Sequence, residues 1–278
     1  MTRIATLICV YSRDNASHFR EALDSILGQR LSAGIESRLY LGVDGPLPPT
    51  IERVIAEYLP TLHRVVRMPR NEGLARTLNA LIERLEDETL IFRMDADDVS
   101  LDTRYQAQVD YMVANPDVDL LGTAILEFGE GVEGERVVQF ASGPDDALAN
   151  AHKQVPVAHP TVCLRRRVLD LTGGYPVRGT NEDVALWFRC LHLGLRFDNL
   201  PQVQLRFRIG PSFWKRRGLE KAWIEFTTYV YGIHALHGPF SLRYAYPLLR
   251  LFVRLAPTGV SRFLYQSPIR MRPGQPRR

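Results

Sequence analysis

Apolar and polar positions alternate between two rhythms over the first 130 residues. Ile4–Tyr11, Arg38–Val43, His63–Met68 and Thr89–Met94 are short apolar runs bounded by polar or turn residues, a pattern that predicts buried strands. Between them, apolar residues recur at spacings of three and four. Phe19, Leu23, Ile26 and Leu27 mark a helix over His18–Gln29, and a second lies around Ile51–Tyr58. Leu74, Leu78, Leu81, Ile82 and Leu85 mark a third over Leu74–Glu86, and Asp102–Asn115 and Val118–Leu126 add a further helix and strand. This alternation predicts an α/β fold, a Rossmann-like, mostly parallel sheet with helices on both faces. It also places the strand ends near Tyr11, Asp44, Arg70-Asn71 and Asp95 on one rim, where open α/β sheets bind ligands.

Beyond residue 130 the rhythm is less regular. Glu130–Pro144 is rich in Gly and Glu and reads as an exposed loop or hairpin, followed by a strand at Val162–Leu164, a short helix at Arg166–Leu171 and a turn at Gly173-Gly174-Tyr175-Pro176. Asn181 is placed to cap a helix over Val184–Leu193, with Glu182 and Asp183 in its first turn. The chain of 278 residues divides into a domain over 1–210 and a helical, basic extension over 211–278.

Composition adds limits. At 45% hydrophobic and 24% charged residues the chain is an ordinary globular protein. Met1 leads straight into a strand, and no apolar run reaches the ~18 residues of a membrane span. Cys9, Cys163 and Cys190 show no C-x-x-C or zinc spacing, so they read as reduced, apolar side chains in a cytosolic setting. The net charge of +4 is uneven: after Glu225 there is no acidic residue, while Arg243, Arg250, Arg254, Arg262, Arg270, Arg272, Arg277 and Arg278 accumulate. In Ser241–Ala256 the arginines alternate with Leu248, Leu249, Leu251, Phe252, Val253 and Leu255. This reads as a basic amphipathic segment on an anionic membrane surface, and places the protein peripherally on the inner face of the cell membrane. The aromatics accompany aliphatics rather than forming a stacking groove, which argues against nucleic acid.

The candidate chemistry is carboxylate chemistry. Asp95-Ala96-Asp97-Asp98 closes the fourth strand, and paired carboxylates there are hard donors suited to Mg²⁺ or Mn²⁺ with a diphosphate. Glu182-Asp183 is a second acidic pair, and adjacent acids raise one another's pKa toward a base that works near neutrality.

Read in order, the motifs resemble family 2 glycosyltransferases of the GT-A fold. They are Cys9-Val10-Tyr11 with Asn15, Leu23–Gln29, Val43-Asp44-Gly45-Pro46, Arg70–Ala75 with Asn79, and Arg93–Asp98. His159–Val162, Gly173-Gly174-Tyr175 and Asn181–Trp187 follow. Leu205–Arg208 and Lys215–Gly218 are shared with a branch of bacterial exopolysaccharide enzymes similar to the amylovoran glycosyltransferases. The resemblance implies an inverting, divalent-metal-dependent transfer (Mn²⁺ or Mg²⁺) from a UDP- or dTDP-sugar donor to a growing, lipid-linked surface glycan. It implies that Val10 and Tyr11 line the base pocket, that Asp44 accepts from the pyrimidine, and that Asn71 and Arg76 serve the phosphates. Asp95 would meet the ribose, Asp97 the metal, Asp183 would be the base and Glu182 its positioning partner. His159 reads as a hydrogen-bonded structural residue. Trp214–Arg217 closes over the diphosphate or forms a basic face. Two rival classes remain at this point: a nucleotidyltransferase and a non-catalytic sugar-nucleotide-binding scaffold.

Overall fold

The computed structural model describes residues 2–130, 134–177, 181–210 and 219–255. Nine strands form one sheet: β1 (Thr2–Tyr11), β2 (Ile35–Asp44), β3 (Arg64–Arg67), β4 (Leu90–Met94), β5 (Val99–Ser100), β6 (Leu120–Phe128), β7 (Arg136–Val138), β8 (Cys163–Arg165) and β9 (Phe197–Arg208). Their order is β3-β2-β1-β4-β8-β6-β9-β5, with β7 on β6. The long pairings (β1 with β2 and β4, β2 with β3, β6 with β9) are parallel, as expected. The short strand β8 runs antiparallel between β4 and β6 and joins the two parallel blocks.

Each strand sends alternate side chains to opposite faces. Ile4, Ile8 and Val10 of β1 enter one core with Phe19 and Leu23 of helix α1 (Ala16–Leu27), Ile51 and Ile55 of α2 (Pro49–Tyr58), and Tyr105 and Met112 of α4 (Arg104–Ala114). Ala5 and Leu7 enter the other, with Leu78 and Leu81 of α3 (Leu74–Ile82), Ala147 of α5 (Pro144–Asn150), Val168 of α6 (Arg166–Thr172) and Trp187 of α7 (Glu182–His192). Helices therefore cover both faces.

Several expectations shift. The third helix ends at Ile82 rather than Glu86, and β9, unassigned from sequence, is a twelve-residue strand. Of the stretch Glu130–Pro144, expected as an exposed loop or hairpin, Arg136–Val138 forms β7, which pairs antiparallel with the preceding β6. Asn15 caps α1 by accepting from the Ser17 and His18 amides at 2.9 and 3.2 Å. Asn181 holds the cap position of α7, but its side chain does not accept from the first turn.

The extension contains α8 (Leu219–His237) and α9 (Ala245–Leu255). α8 lies on α7, with Tyr229 edge-on to Phe188, and α9 lies on α8. The expected outward basic stripe is corrected at Arg250. Its guanidinium turns inward to Glu225 at 2.5 Å, to the Lys153 carbonyl at 3.1 Å, and over the Tyr229 ring at 4.6 Å. A half-buried arginine gains more from a carboxylate and an aromatic face than from solvent. Among the described residues no helix is long and apolar enough to cross a membrane. Trp214–Arg217 and the arginines from 262 onward lie outside the described residues.

Candidate active site

The predicted rim exists. β1 and β2 end in register at Tyr11 and Asp44, and β4 ends beside them, Met94 paired with Ile8. Asp44 is buried, and its carboxylate organises the next loop: Oδ1 accepts from the Glu72 amide at 2.7 Å and Oδ2 from the Gly73 amide at 3.0 Å. Asn71 Nδ2 reaches back to the Asp44 carbonyl at 3.4 Å. Gly45, at φ +86°, makes this approach possible, because a Cβ there would lie 2.5 Å from the Asn71 nitrogen. Thus Asp44 and Asn71 come together, with Asp44 acting first as the anchor of the loop that opens α3. Arg76 stands exposed in the first turn of α3. Tyr11 is half-buried at the rim, its amide donating to Asp14 Oδ2 at 2.9 Å. Val10 instead packs its side chain into the core, so only its backbone can serve the rim.

Asp95, Asp97 and Asp98 each turn a carboxylate oxygen inward, these oxygens lying within 4.8 Å of one another. Burial, then the charges of Asp95 and Asp97, hold the Asp98 carboxyl well above the usual carboxylate range. Its Oδ1 accepts from the Arg208 amide at 2.8 Å, while Oδ2 is buried with no hydrogen-bond partner. Three clustered carboxylates, one with an orphaned buried oxygen, fit a hard divalent cation.

Two arginines that sequence reasoning left without roles hold this cluster. Arg208, at the end of β9, donates Nε to the Asp97 carbonyl at 2.8 Å, pairs with Glu21 of α1 and lies 4.6 Å over the Phe128 ring. It fastens the acidic turn to α1 and β6. Arg93 follows Ile91 on the α3 and α7 face of β4; it is buried, bonds Asp95, and leaves Nε and Nη1 without partners. Both stood inside quoted motifs; that they face acids distant in sequence was not readable there.

The second acid pair stands at the N-terminus of α7. Burial, then the neighbouring Asp183, push the Glu182 carboxyl up to about 7. Burial also raises Asp183. For both, the Arg93 charge opposes the rise and the Asp95 charge adds to it, so both carboxyls lie near enough to feel these charges. His159 Nε2 meets the Tyr175 hydroxyl at 2.9 Å and the imidazole stands edge-on to Trp187. Burial and then Arg93 lower its pKa well below the ordinary value, so it is neutral. That is the hydrogen-bonded, structural histidine expected. Asn79 of α3 grips the Gly-Gly-Tyr turn from both sides: Oδ1 accepts from the Tyr175 amide and Nδ2 donates to its carbonyl, both at 2.8 Å.

Comparison with known proteins decides the family. Residues 6–172 match the domain described as glycosyl transferase family 2. The chain is 31% identical over 264 residues to the amylovoran biosynthesis glycosyltransferase AmsE of Erwinia amylovora, covering 94% of this chain and 97% of that protein. The chain belongs to glycosyl transferase family 2. It is also similar to an Escherichia coli UDP-Gal:alpha-D-GlcNAc-diphosphoundecaprenol beta-1,3-galactosyltransferase, at 26% identity over 270 residues, 96% of this chain and 97% of that one. The mannosyltransferase PcManGT of Pyrobaculum calidifontis, solved with GDP-Man and Mn²⁺, superposes with a TM-score of 0.63 at 16% identity, over 94% of this chain and 78% of that one. The fold is thus GT-A. As a family 2 member the protein is a glycosyltransferase, which sets aside the nucleotidyltransferase and scaffold readings.

Proposed function

We propose that this glycosyltransferase moves a sugar, with inversion, from a UDP- or dTDP-type donor to a lipid-linked glycan in bacterial surface polysaccharide synthesis, working peripherally at the inner face of the cell membrane. The observation that carries the mechanism is that two acid groups, the Asp95–Asp98 cluster and the raised Glu182–Asp183 pair, both feel the charge of the buried Arg93. The similarity to a UDP-Gal-dependent enzyme acting on a diphosphoundecaprenol-linked sugar supports the donor and acceptor classes. AmsE supports the polysaccharide setting.

In this reading the donor base lies over Val10 and Tyr11, and Asp44 offers its remaining lone pairs to the imide N–H. Asp95 takes the ribose, while the Asn71 loop and Arg76 approach the phosphates. Asp97, with Asp95 and Asp98 beside it, would hold the Mn²⁺ or Mg²⁺, which when bound supplies positive charge to the departing diphosphate. Asp183 takes the proton from the acceptor hydroxyl as that oxygen attacks the anomeric carbon. Glu182 orients acceptor and base. A carboxylate raised toward neutrality by burial is a stronger base than an exposed one, which suits this role.

Two variants test the roles. Asp183→Asn should lower transfer by at least about 100-fold, the ordinary worth of a general base, with donor affinity by calorimetry nearly unchanged. Asp97→Ala should lose both transfer and metal-dependent donor binding. Equal loss of donor binding in the two would overturn the assignment.

A further inference from the structure

Helix α9 has two unlike faces. On one, Pro247 is buried and Arg250 reaches Glu225 and Tyr229 of α8, fixing the helix on the domain. On the other, Ala245, Leu248, Leu249 and Phe252 recur at spacings of three and four and stand exposed, Leu248 at 45%, Leu249 at 61% and Phe252 at 69%. The corner before the helix adds Phe240 at 98% and Leu242 at 94% exposure. None of these six residues is charged; the intervening Arg243 is half-buried against His237, and Arg250 is turned to Glu225. An exposed apolar stripe of this size is unfavourable in water unless something covers it.

We infer that this face, Phe240 and Leu242 with the outer stripe of α9, is the part of the protein that enters the lipid headgroup boundary; the inference rests on the membrane-peripheral reading and names its contact. Charge selects the occupant. After Glu225 the chain carries eight arginines and no acid. A second copy docking on the same patch would bring two such arginine-rich termini together, and like charges at a self-complementary interface repel. Anionic lipid headgroups complement them instead. Insertion here is driven by the apolar stripe, and the positive charge of the sequence after Glu225 adds attraction. Arg250 is excluded from the lipid contact, because its guanidinium is committed to Glu225, Tyr229 and the Lys153 carbonyl.

The test is co-sedimentation of the full chain with vesicles of phosphatidylglycerol and phosphatidylethanolamine, with neutral phosphatidylcholine vesicles in parallel. Transfer to a soluble acceptor and sedimentation velocity without lipid are measured on the same preparations. The wild type should bind the anionic vesicles. The triple variant Leu248→Ser, Leu249→Ser, Phe252→Ser, whose changed side chains are already in solvent, should keep its fold and soluble-acceptor transfer but partition at least about 10-fold less. Equal vesicle binding by wild type and triple variant would overturn the assignment of this face and leave membrane attachment standing. A wild type that transfers sugar yet binds no vesicle would overturn the membrane-peripheral reading itself. A wild-type dimer that the triple variant abolishes, with vesicle binding unchanged, would give the face to a second copy.

Discussion

Glu182 shows how a single side chain records its environment. Burial and the charge of Asp183 push its carboxyl up to about 7, so the folded protein holds a proton there that the unfolded chain releases nearer 4.5. The sign follows: a folded pKa above the unfolded one contributes stability that is complete below about 4.5 and lost as pH rises through about 7. Glu182→Gln keeps the neutral form at every pH. Without ligands it should therefore match the wild type near pH 4.5 and become more stable by on the order of 2 kcal/mol at pH 8, partial solvent access reducing the full linkage value. Thermal melts across this range check it; a difference independent of pH would mean that Glu182 is not held protonated. The gain in stability should accompany lost transfer, as expected where a site stores unfavourable charge for its chemistry. The sequence placed these two acids at a helix start and suggested mutual elevation. Burial as the main cause came from the tertiary packing.

At the level of elements, the contact between α7 and α8 depends on the absence of a side chain. A Cβ at Gly232 would stand 2.2 Å from the Phe188 ring. Alanine in a helix interior gains about 1 kcal/mol of propensity over glycine. Overlap with a buried aromatic costs about 1–3 kcal/mol, so the clash prevails. Gly232→Ala should lower Tm by about 2–6 °C, and a raised Tm would mean that α8 does not lie against α7. Element prediction from sequence worked where periodicity was sustained, as in β1, α1 and α3. It missed β9, whose inner and outer positions do not alternate cleanly: Leu200 is buried, Pro201 and Gln202 are exposed, and its register with β6 shifts nearby. An irregular strand carries no period-two signal.

At the scale of the whole molecule, ligand linkage should report on the proposed donor site. Mn²⁺ together with UDP at a hundredfold excess over Kd should stabilise the protein by about 2.7 kcal/mol, with little effect of either alone, and Asp97→Ala should lose the response. A folded protein whose melting ignores every diphosphate nucleotide would contradict the donor site. Local order sufficed for much of this architecture. The alternation of apolar runs determined most strands and helices of the first 130 residues and the rim they share, since burial of a strand or helix face imposes its period directly on the chain. The motif residues at strand ends determined the family and the candidate acids. Tertiary structure alone decided which charges meet. Asp98 and Arg208 are 110 residues apart in sequence and 2.8 Å apart in space. Arg250, part of an outward stripe by spacing, turns in because Glu225 and Tyr229 of another helix offer it a partner. Arg93 became a buried cation felt by two acid groups because its position on β4 and the helix α7 lie on the same face of the sheet. Periodicity specifies which face of an element is covered; it carries no information about what lies opposite, and electrostatics depends on what lies opposite.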